Sequence, residues 1–188
     1  MAQVDRFGGE FDGVLVAARS GEPWALERIF TTLSPVVAGY LRMQGSHEPD
    51  DLTSEVFVAV LRRVGSFRGD EAGFRSWVFT IAHRRLIDER RRLVRQAGVG
   101  PMPAGYDAPA PDDAEADVLR SLARERVREL CDRLVPDQRD VLLLRLLGAM
   151  TIEEVATAMG RSVGAVKALQ RRGFRAVGRI LEREGVPL

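Results

Sequence analysis

Residues 74–95, FRSWVFTIAHRRLIDERRRLVR, sort into two chemically distinct faces when they are wound as a helix. At 100° per residue, Val78, Ala82, Leu86 and Leu93 fall on one stripe suited to a core. Trp77, Arg84, Asp88, Arg91 and Arg95 recur on roughly the opposite side. One helix thus carries a packing stripe and a second face that sets an aromatic ring among guanidinium groups. A guanidinium pairs with phosphate through its planar fork, and rings stack on bases, so this face suits a nucleic acid whose bases are partly unstacked. The same spacing also fits a helix with a merely solvated Arg face and Trp77 turned into the core.

The rest of the chain continues the helical period. EFDGVLVAAR (10–19) reads as a short helix that Gly21 ends. Pro23 fits the first turn of a second helix, whose apolar side is Trp24, Ile29, Phe30 and Leu33. Ser34–Pro35 predicts a fresh helix start, with Ser as cap and Pro at the first helical position. After the loop GSHEPDD (45–51), a helix at about 50–64 carries Leu52, Val56, Val60 and Val64 at i+4 spacing, with Asp51 and Glu55 on another edge. Residues 66–73, SFRGDEAG, read as a turn.

Periodicity stops at Gln96. The following Pro/Gly/Ala-rich stretch turns acidic and predicts a flexible linker at 96–113. Helical spacing resumes near Ala114 and runs to about residue 134, and Pro136 opens another helix that Gly148 stops. Thr151 with Glu154 forms a capping-box pattern, Gly160 marks a tight turn, and Ser162 is placed to cap the next helix. Two helices joined this way read as a helix-turn-helix. On the second of them, Val166, Leu169, Gly173, Val177 and Ile180 form a packing face. Gly164, Lys167, Ala168, Arg171, Arg175 and Arg179 form the other, with Arg172 at its edge. Small residues near the N-terminus and long cations behind them are what a helix in a major groove needs. An Arg-rich helix finishing a bundle has the same composition, but the capped helix and glycine turn ahead of it favour the groove.

Composition narrows the function. The net charge of +1 conceals a segregation. Residues 1–60 sum to −5, 61–95 to +6, 96–117 to −5 and 118–188 to +5. Two basic blocks around an acidic spacer suggest two contacts with a polyanion. A single cysteine, Cys131, excludes an intramolecular disulfide and a Cys-based zinc cluster, and two histidines, His47 and His83, are too few and too far apart for a metal site. There is no Gly-rich phosphate loop and no nucleophile with a credible base, so the sequence points away from an enzyme and implies no cofactor. No apolar run reaches the ~18 residues of a membrane span, and the N-terminus lacks the pattern of a secretory signal, which leaves a cytoplasmic expectation without membrane insertion.

With both halves laid out, the chain resembles a bacterial sigma factor of the small, two-domain extracytoplasmic-function class. GEPWALERIFTTLSPVVAGYLR resembles the family's first conserved region, and DDLTSEVFVAVLRRVGSFRG resembles the segment that docks on core polymerase. FRSWVFTIAHRRLIDERRR resembles the melting and minus-ten-reading region. LVPDQRDVLLLRLLGAMTIEEVATAMGRSVGAVKALQRRGFRAV resembles the minus-thirty-five-reading domain. The resemblance implies an all-α fold of two small helical domains, residues 1–95 and 114–188, the second containing the helix-turn-helix.

Its implied partners are core RNA polymerase (the clamp helices of the largest subunit and the flap region), promoter DNA and an anti-sigma factor. Its implied roles fall on named positions. Asp51, Leu52, Glu55, Val56 and Val60 would dock on polymerase. Phe67, Arg68 and Phe74, in and beside the 66–73 loop, would serve capture of a flipped minus-ten base, while Trp77, Arg84, Arg85 and Arg91 hold the melted strand and upstream duplex. Asp88 would either accept a hydrogen bond from a base amino group or orient a neighbouring Arg. Arg161, Ser162, Gly164, Lys167, Ala168, Arg171, Arg172 and Arg175 would serve the minus-thirty-five element. One departure stands out: residues 168–171 read Ala-Leu-Gln-Arg where the family's common form reads Ser-Arg-Leu-His. Two other classes fit parts of the pattern: a helix-turn-helix regulator that acts without polymerase, and a helical scaffold with Arg-rich surfaces.

Overall fold

The computed structural model describes residues 6–97 and 125–185, and among them every regular element is helical. The expected linker falls almost wholly outside the described residues, as does the start of the helix expected from Ala114.

Four helices build the N-terminal half: α1 (Phe11–Arg19), α2 (Pro23–Met43), α3 (Pro49–Arg63) and α4 (Glu71–Ala97), with a 3-10 turn at Val64–Ser66 before α4. Helix α2 buries Ala25, Ile29, Leu33, Val37 and Leu41, one residue per turn, against α1, α3 and α4. It does not restart at Ser34; Pro35 lies inside a continuous helix. An interior proline costs about 3 kcal/mol through the lost N–H bond and ring crowding. Leu33, Val37 and Leu41 keep phase across it, and each contributes about 1.5–3 kcal/mol by burial, so packing carries the helix through. The turn expected at 66–73 is shorter than its sequence suggests, because Glu71 already begins α4. Asp70 ends the turn by accepting from the Gly73 amide through Oδ1 at 2.8 Å.

Val78, Ala82 and Leu86 of α4 are fully buried, as the stripe requires. A further side of the same helix, Phe79 and His83, is buried too. The Phe79 ring meets Tyr40 edge-on at 5.4 Å, and His83 Nδ1 lies 3.0 Å from Tyr40 Oη. Burial lowers the His83 pKa, which keeps the imidazole neutral, and the same desolvation raises that of Tyr40.

The C-terminal half comprises a helical stretch at 125–132 (α5), α6 (Pro136–Leu146), α7 (Ile152–Met159) and α8 (Val163–Arg183). The capping box is present: Thr151 Oγ1 accepts from the Glu154 amide at 3.1 Å, and Glu154 Oε2 accepts from the Thr151 amide at 2.6 Å. Gly160 ends α7 at φ +61°, a left-handed position that glycine occupies without Cβ strain, and Ser162 caps α8 by accepting from the Ala165 amide. Helix α6 is buried on two sides, since α8 packs on one and the N-terminal half on the other. The two halves therefore touch: α6 and α7 rest on α2 and α4, and Phe79 faces Gly148 so closely that an added Cβ would lie 3.1 Å from its ring.

Thr151→Ala removes the acceptor for an otherwise orphaned N–H at the start of α7. It should lower stability by about 1 kcal/mol in urea denaturation followed by circular dichroism. An unchanged midpoint would mean that packing alone holds this helix end.

Candidate nucleic-acid interface

The first basic face is built on α4. A ladder of rings begins before α1 and sets its start: Phe7 against Phe11 at 5.4 Å, Phe11 against Phe74 at 5.5 Å, and Phe74 against Phe67 at 5.0 Å. Phe74 is 0% exposed, so it is a core ring beneath the loop and offers no surface to a base; its expected place in the minus-ten set is corrected on that ground. Its burial follows from the spacing, since Phe74, Val78 and Ala82 share the packing stripe. The loop above is held by backbone carbonyls: Arg19 Nη2 donates to Phe67 O at 2.6 Å, and Arg68 Nη1 donates to Gly65 O at 2.9 Å.

Trp77 takes neither of its two expected positions outright. It is half-buried, tilted 34° against Phe67 at 5.3 Å and packed on Phe74 at 5.6 Å. One ring face is thus supported by the core and only part of the ring is open. Beyond it Arg84, Arg85, Asp88, Arg91, Arg92 and Arg95 are exposed. Asp88 Oδ1 lies 3.7 Å from Arg91 Nη1, so in the free chain it orients that neighbour. Both side chains are well exposed, which limits the pair to about 0.3–0.5 kcal/mol and leaves Arg91 easily recruited by a phosphate. Two other arginines of α4 are absent from this face: Arg75 is buried and donates to Gly148 O at 3.1 Å, and Arg90 turns toward α2 and α6.

The second basic face lies on α8. Val166, Leu169 and Gly173 are buried against α6 and α7, and Leu142 Cδ1 would stand 3.0 Å from a Cβ at Gly173. That packing turns Lys167, Arg171, Arg172, Arg175 and Arg179 outward. None of these five lies within ion-pair reach of a carboxylate among the described residues. Gly164 is exposed with open space at its Cβ position, so the fold itself does not demand glycine there, and a side chain would only stand in the way of an approaching surface. Ala168 is half-buried beside Lys167. Leu169 packs inward and Gln170 is half-buried, which leaves Arg171 the outward residue of the departing 168–171 segment. Two expected members are already engaged: Arg161 Nη2 lies 2.6 Å from Asp137 Oδ2, and the Ser162 hydroxyl is used as the cap.

The expected docking surface on α3 needs a larger correction. Leu52, Val56 and Val60 are at most 3% exposed, because their i+4 stripe is the one that meets α2 and α4, and they cannot meet a partner. Asp51 and Glu55 are exposed as expected. The apolar surface beside them is Val58, 48% exposed, with Phe30 of α2, 40% exposed, set edge-on to Phe57 at 5.1 Å. Sequence reasoning missed both. The signal was available, since positions 51, 55 and 58 share one helical face.

Comparisons with known proteins fall on these same elements. The family model for sigma-70 region 2 matches residues 29–96, and that for sigma-70 region 4 matches residues 124–177, so the two take in most of the chain. Among curated relatives, the chain is 34% identical over 169 residues to the ECF RNA polymerase sigma factor BldN of Streptomyces coelicolor. That match covers 87% of this chain and spans 63% of BldN. It is 28% identical over 176 residues to the ECF sigma factor SigD of Mycobacterium tuberculosis, covering 89% of this chain and 82% of SigD. Two solved structures share the fold. CnrH, in complex with the cytosolic domain of CnrY, matches with a TM-score of 0.63 at 22% identity, over 90% of this chain and 96% of that one. The sigma factor RpoE of Bartonella quintana, in complex with the anti-sigma factor NepR, matches with a TM-score of 0.59 at 19% identity, over 83% and 96%. The chain belongs to the sigma-70 family, in its extracytoplasmic-function group.

Phe67→Ala should uncover the supported face of Trp77. In a Trp24→Phe background, which leaves Trp77 as the sole indole, acrylamide quenching should rise. Stability should fall by about 1–2 kcal/mol, less than for a fully buried ring. Unchanged quenching would show that Phe67 does not cover this indole in solution.

Proposed function

We propose that this chain is a transcription initiation factor that binds core RNA polymerase, directs it to promoters and assists strand opening. The reading rests on one observation above others: the two sigma-region matches, in order, fall on the two helices that each turn an Arg face outward. Residues 1–95 form the polymerase-docking and minus-ten unit, 114–188 the minus-thirty-five unit, and 96–113 the connection between them. Asp51, Glu55, Val58 and Phe30 make the docking surface, an apolar pair edged by acid. The loop around Phe67 and Arg68, the half-open ring of Trp77, and Arg84, Arg85, Asp88 and Arg91 hold the melted strand and the adjacent duplex. Lys167 and Arg171 face base edges from the N-terminal half of α8, while Arg172 and Arg175 reach phosphates and Gly164 and Ala168 permit close approach. Catalysis belongs to the polymerase. The chain acts where the polymerase does, in the cytoplasm. The structural neighbours bound to CnrY and to the anti-sigma factor NepR support a regulator of the same kind here.

Run-off transcription with core polymerase on genomic fragments tests the reading: specific transcripts should appear only when the chain is added. Their absence, with tight binding of free duplex by a dimer, would favour a conventional regulator. Within that assay the two faces should separate. Arg171→Ala should cost about 1–3 kcal/mol, or roughly 5- to 150-fold in initiation, and a template with a pre-opened minus-ten bubble should not restore it fully. Arg84→Ala should be substantially rescued by that template, because its contacts stabilise the open form. Equal rescue of both would overturn the division of labour.

Charge reversal at Asp51 and Glu55 should weaken polymerase binding by roughly tenfold in a titration, the scale of about 1.4 kcal/mol for reversed rim charges. The melting temperature should hold, since exposed charges contribute little to folding. Unaltered affinity would remove this surface from the docking site.

A further inference from the structure

We propose that Lys167 is a modification site: an acyl phosphate held by the neighbouring arginines transfers its acyl group to the Lys167 amine and weakens the DNA-facing side of α8. The inference rests on the promoter-reading function proposed above.

Of the chain's 28 lysine and arginine residues, Lys167 alone is a lysine. The difference is chemical. A guanidinium stays protonated and is a poor nucleophile, whereas an ammonium that gives its proton to water becomes a nucleophilic amine. Apart from the α-amine, this chain therefore offers an acyl donor one amine. Lys167 is exposed on the outward side of α8, and no carboxylate among the described residues lies within ion-pair reach of it. An ion pair would hold such an amine in its charged, unreactive form; here nothing does so. The space beside it is open as well. Gly164, one turn earlier, has nothing within 4 Å of its Cβ position, and the next residue, Ala168, is small.

The same face selects the donor. Arg171 follows Lys167 by one helical turn, so their Cβ atoms stand about 5–6 Å apart. Arg172 and Arg175 extend the row, and all three are exposed. A row of cations draws anions, and a guanidinium grips a phosphate through two parallel N–H bonds. In an acyl phosphate, one bridging oxygen joins the phosphorus to the carbonyl carbon. A phosphate gripped by Arg171 thus brings that carbon within reach of the Lys167 amine. The amine attacks it, a C–N bond forms and the bridging C–O bond breaks. The electron pair of that bond leaves with inorganic phosphate, whose charge Arg171 stabilises, and the extra proton on nitrogen passes to water. The product is a neutral amide, so a base-facing position loses its cation and the row loses one charge.

Timed exposure of the full chain to acetyl phosphate, read by peptide mass spectrometry, tests this. Lys167 should be acetylated several-fold faster than the lysine of a short unstructured peptide, and several-fold faster than in Arg171→Ala. After desalting, the acetylated chain is added to untreated core polymerase. It should initiate about 5- to 150-fold less well in run-off transcription, the range that loss of one base contact gives. Lys167→Arg, treated identically, should keep its own untreated level. In chain isolated from native cells, part of the Lys167 peptide should carry an acyl group. Acetylation no faster than in the free peptide, or equally fast in Arg171→Ala, overturns the held donor. Undiminished initiation by fully acetylated chain, or no acyl group at Lys167 in any growth phase, overturns the switch. An untreated parent that yields no specific transcript would instead fault the promoter-reading function, and the acetylation rates would still decide the site.

Discussion

The basic face of the N-terminal half depends on how α4 divides its circumference. One side, Phe74, Val78, Ala82 and Leu86, is buried against the helices that precede it. A second, Phe79 and His83 with Arg90 at its end, is taken by Tyr40, Gln44 and the C-terminal half. Only the third side is left for guanidinium groups that face solvent. A helix with two packed sides has little freedom to roll, so Arg84, Arg85, Asp88 and Arg91 stand at fixed angles to the loop at Phe67. The aromatic ladder from Phe7 to Trp77 fixes the other end of that same surface. Preorganisation of this kind reduces the ordering entropy that binding would otherwise cost.

The chain also distinguishes cations it uses for folding from cations it leaves free. Arg126 and Arg133 are ion-paired with Glu184, Arg139 with Asp132, and Arg161 with Asp137. Lys167, Arg171, Arg172 and Arg175 face solvent without a carboxylate in ion-pair reach among the described residues. Clustered like charges repel, so an unneutralised row on one helix is a small cost to the fold that a polyanion relieves on binding. The capped turn Gly160–Ser162 sets the angle at which this row is presented, and Gly173 lets α8 lie close on Leu142 behind it.

Much of this was legible in the sequence because period and caps are local signals. The capping box at Thr151, the glycine turn at Gly160 and both faces of α8 could be read from spacing alone. Three expectations fail, each for a physical reason. The restart at Ser34 was a true local preference overridden by an apolar stripe that continues on both sides of Pro35. Leu52, Val56 and Val60 were given to a partner although their own periodicity makes them core; a helix cannot spend one stripe twice, and the exposed Val58 was overlooked. The second buried side of α4 is carried by Phe79 and His83, which lie outside the main stripe and reveal their burial only when Tyr40 and Gly148 arrive from distant parts of the chain. The same holds for Arg90, which in sequence is one arginine among several and in space is bonded to α2 and paired with α6.

Asp88 shows how such a face can discriminate as well as attract. A row of arginines alone would favour any phosphate, with affinity that depends on salt and ignores sequence. A carboxylate in the middle of the row repels the phosphate chain but accepts a hydrogen bond from a base amino group, which phosphates cannot donate. Its partner in the free chain is Arg91, at 3.7 Å, with both groups largely in water. Under the function proposed above, that pair is weak enough to exchange for DNA, which would free the arginine for backbone and the aspartate for a base edge. In that role the acid would lower non-specific affinity by a small electrostatic penalty and recover it only where a base is displayed in reach. Two basic faces joined by one chain, one of them with this bias, would favour DNA that offers both elements at once over DNA that offers charge alone.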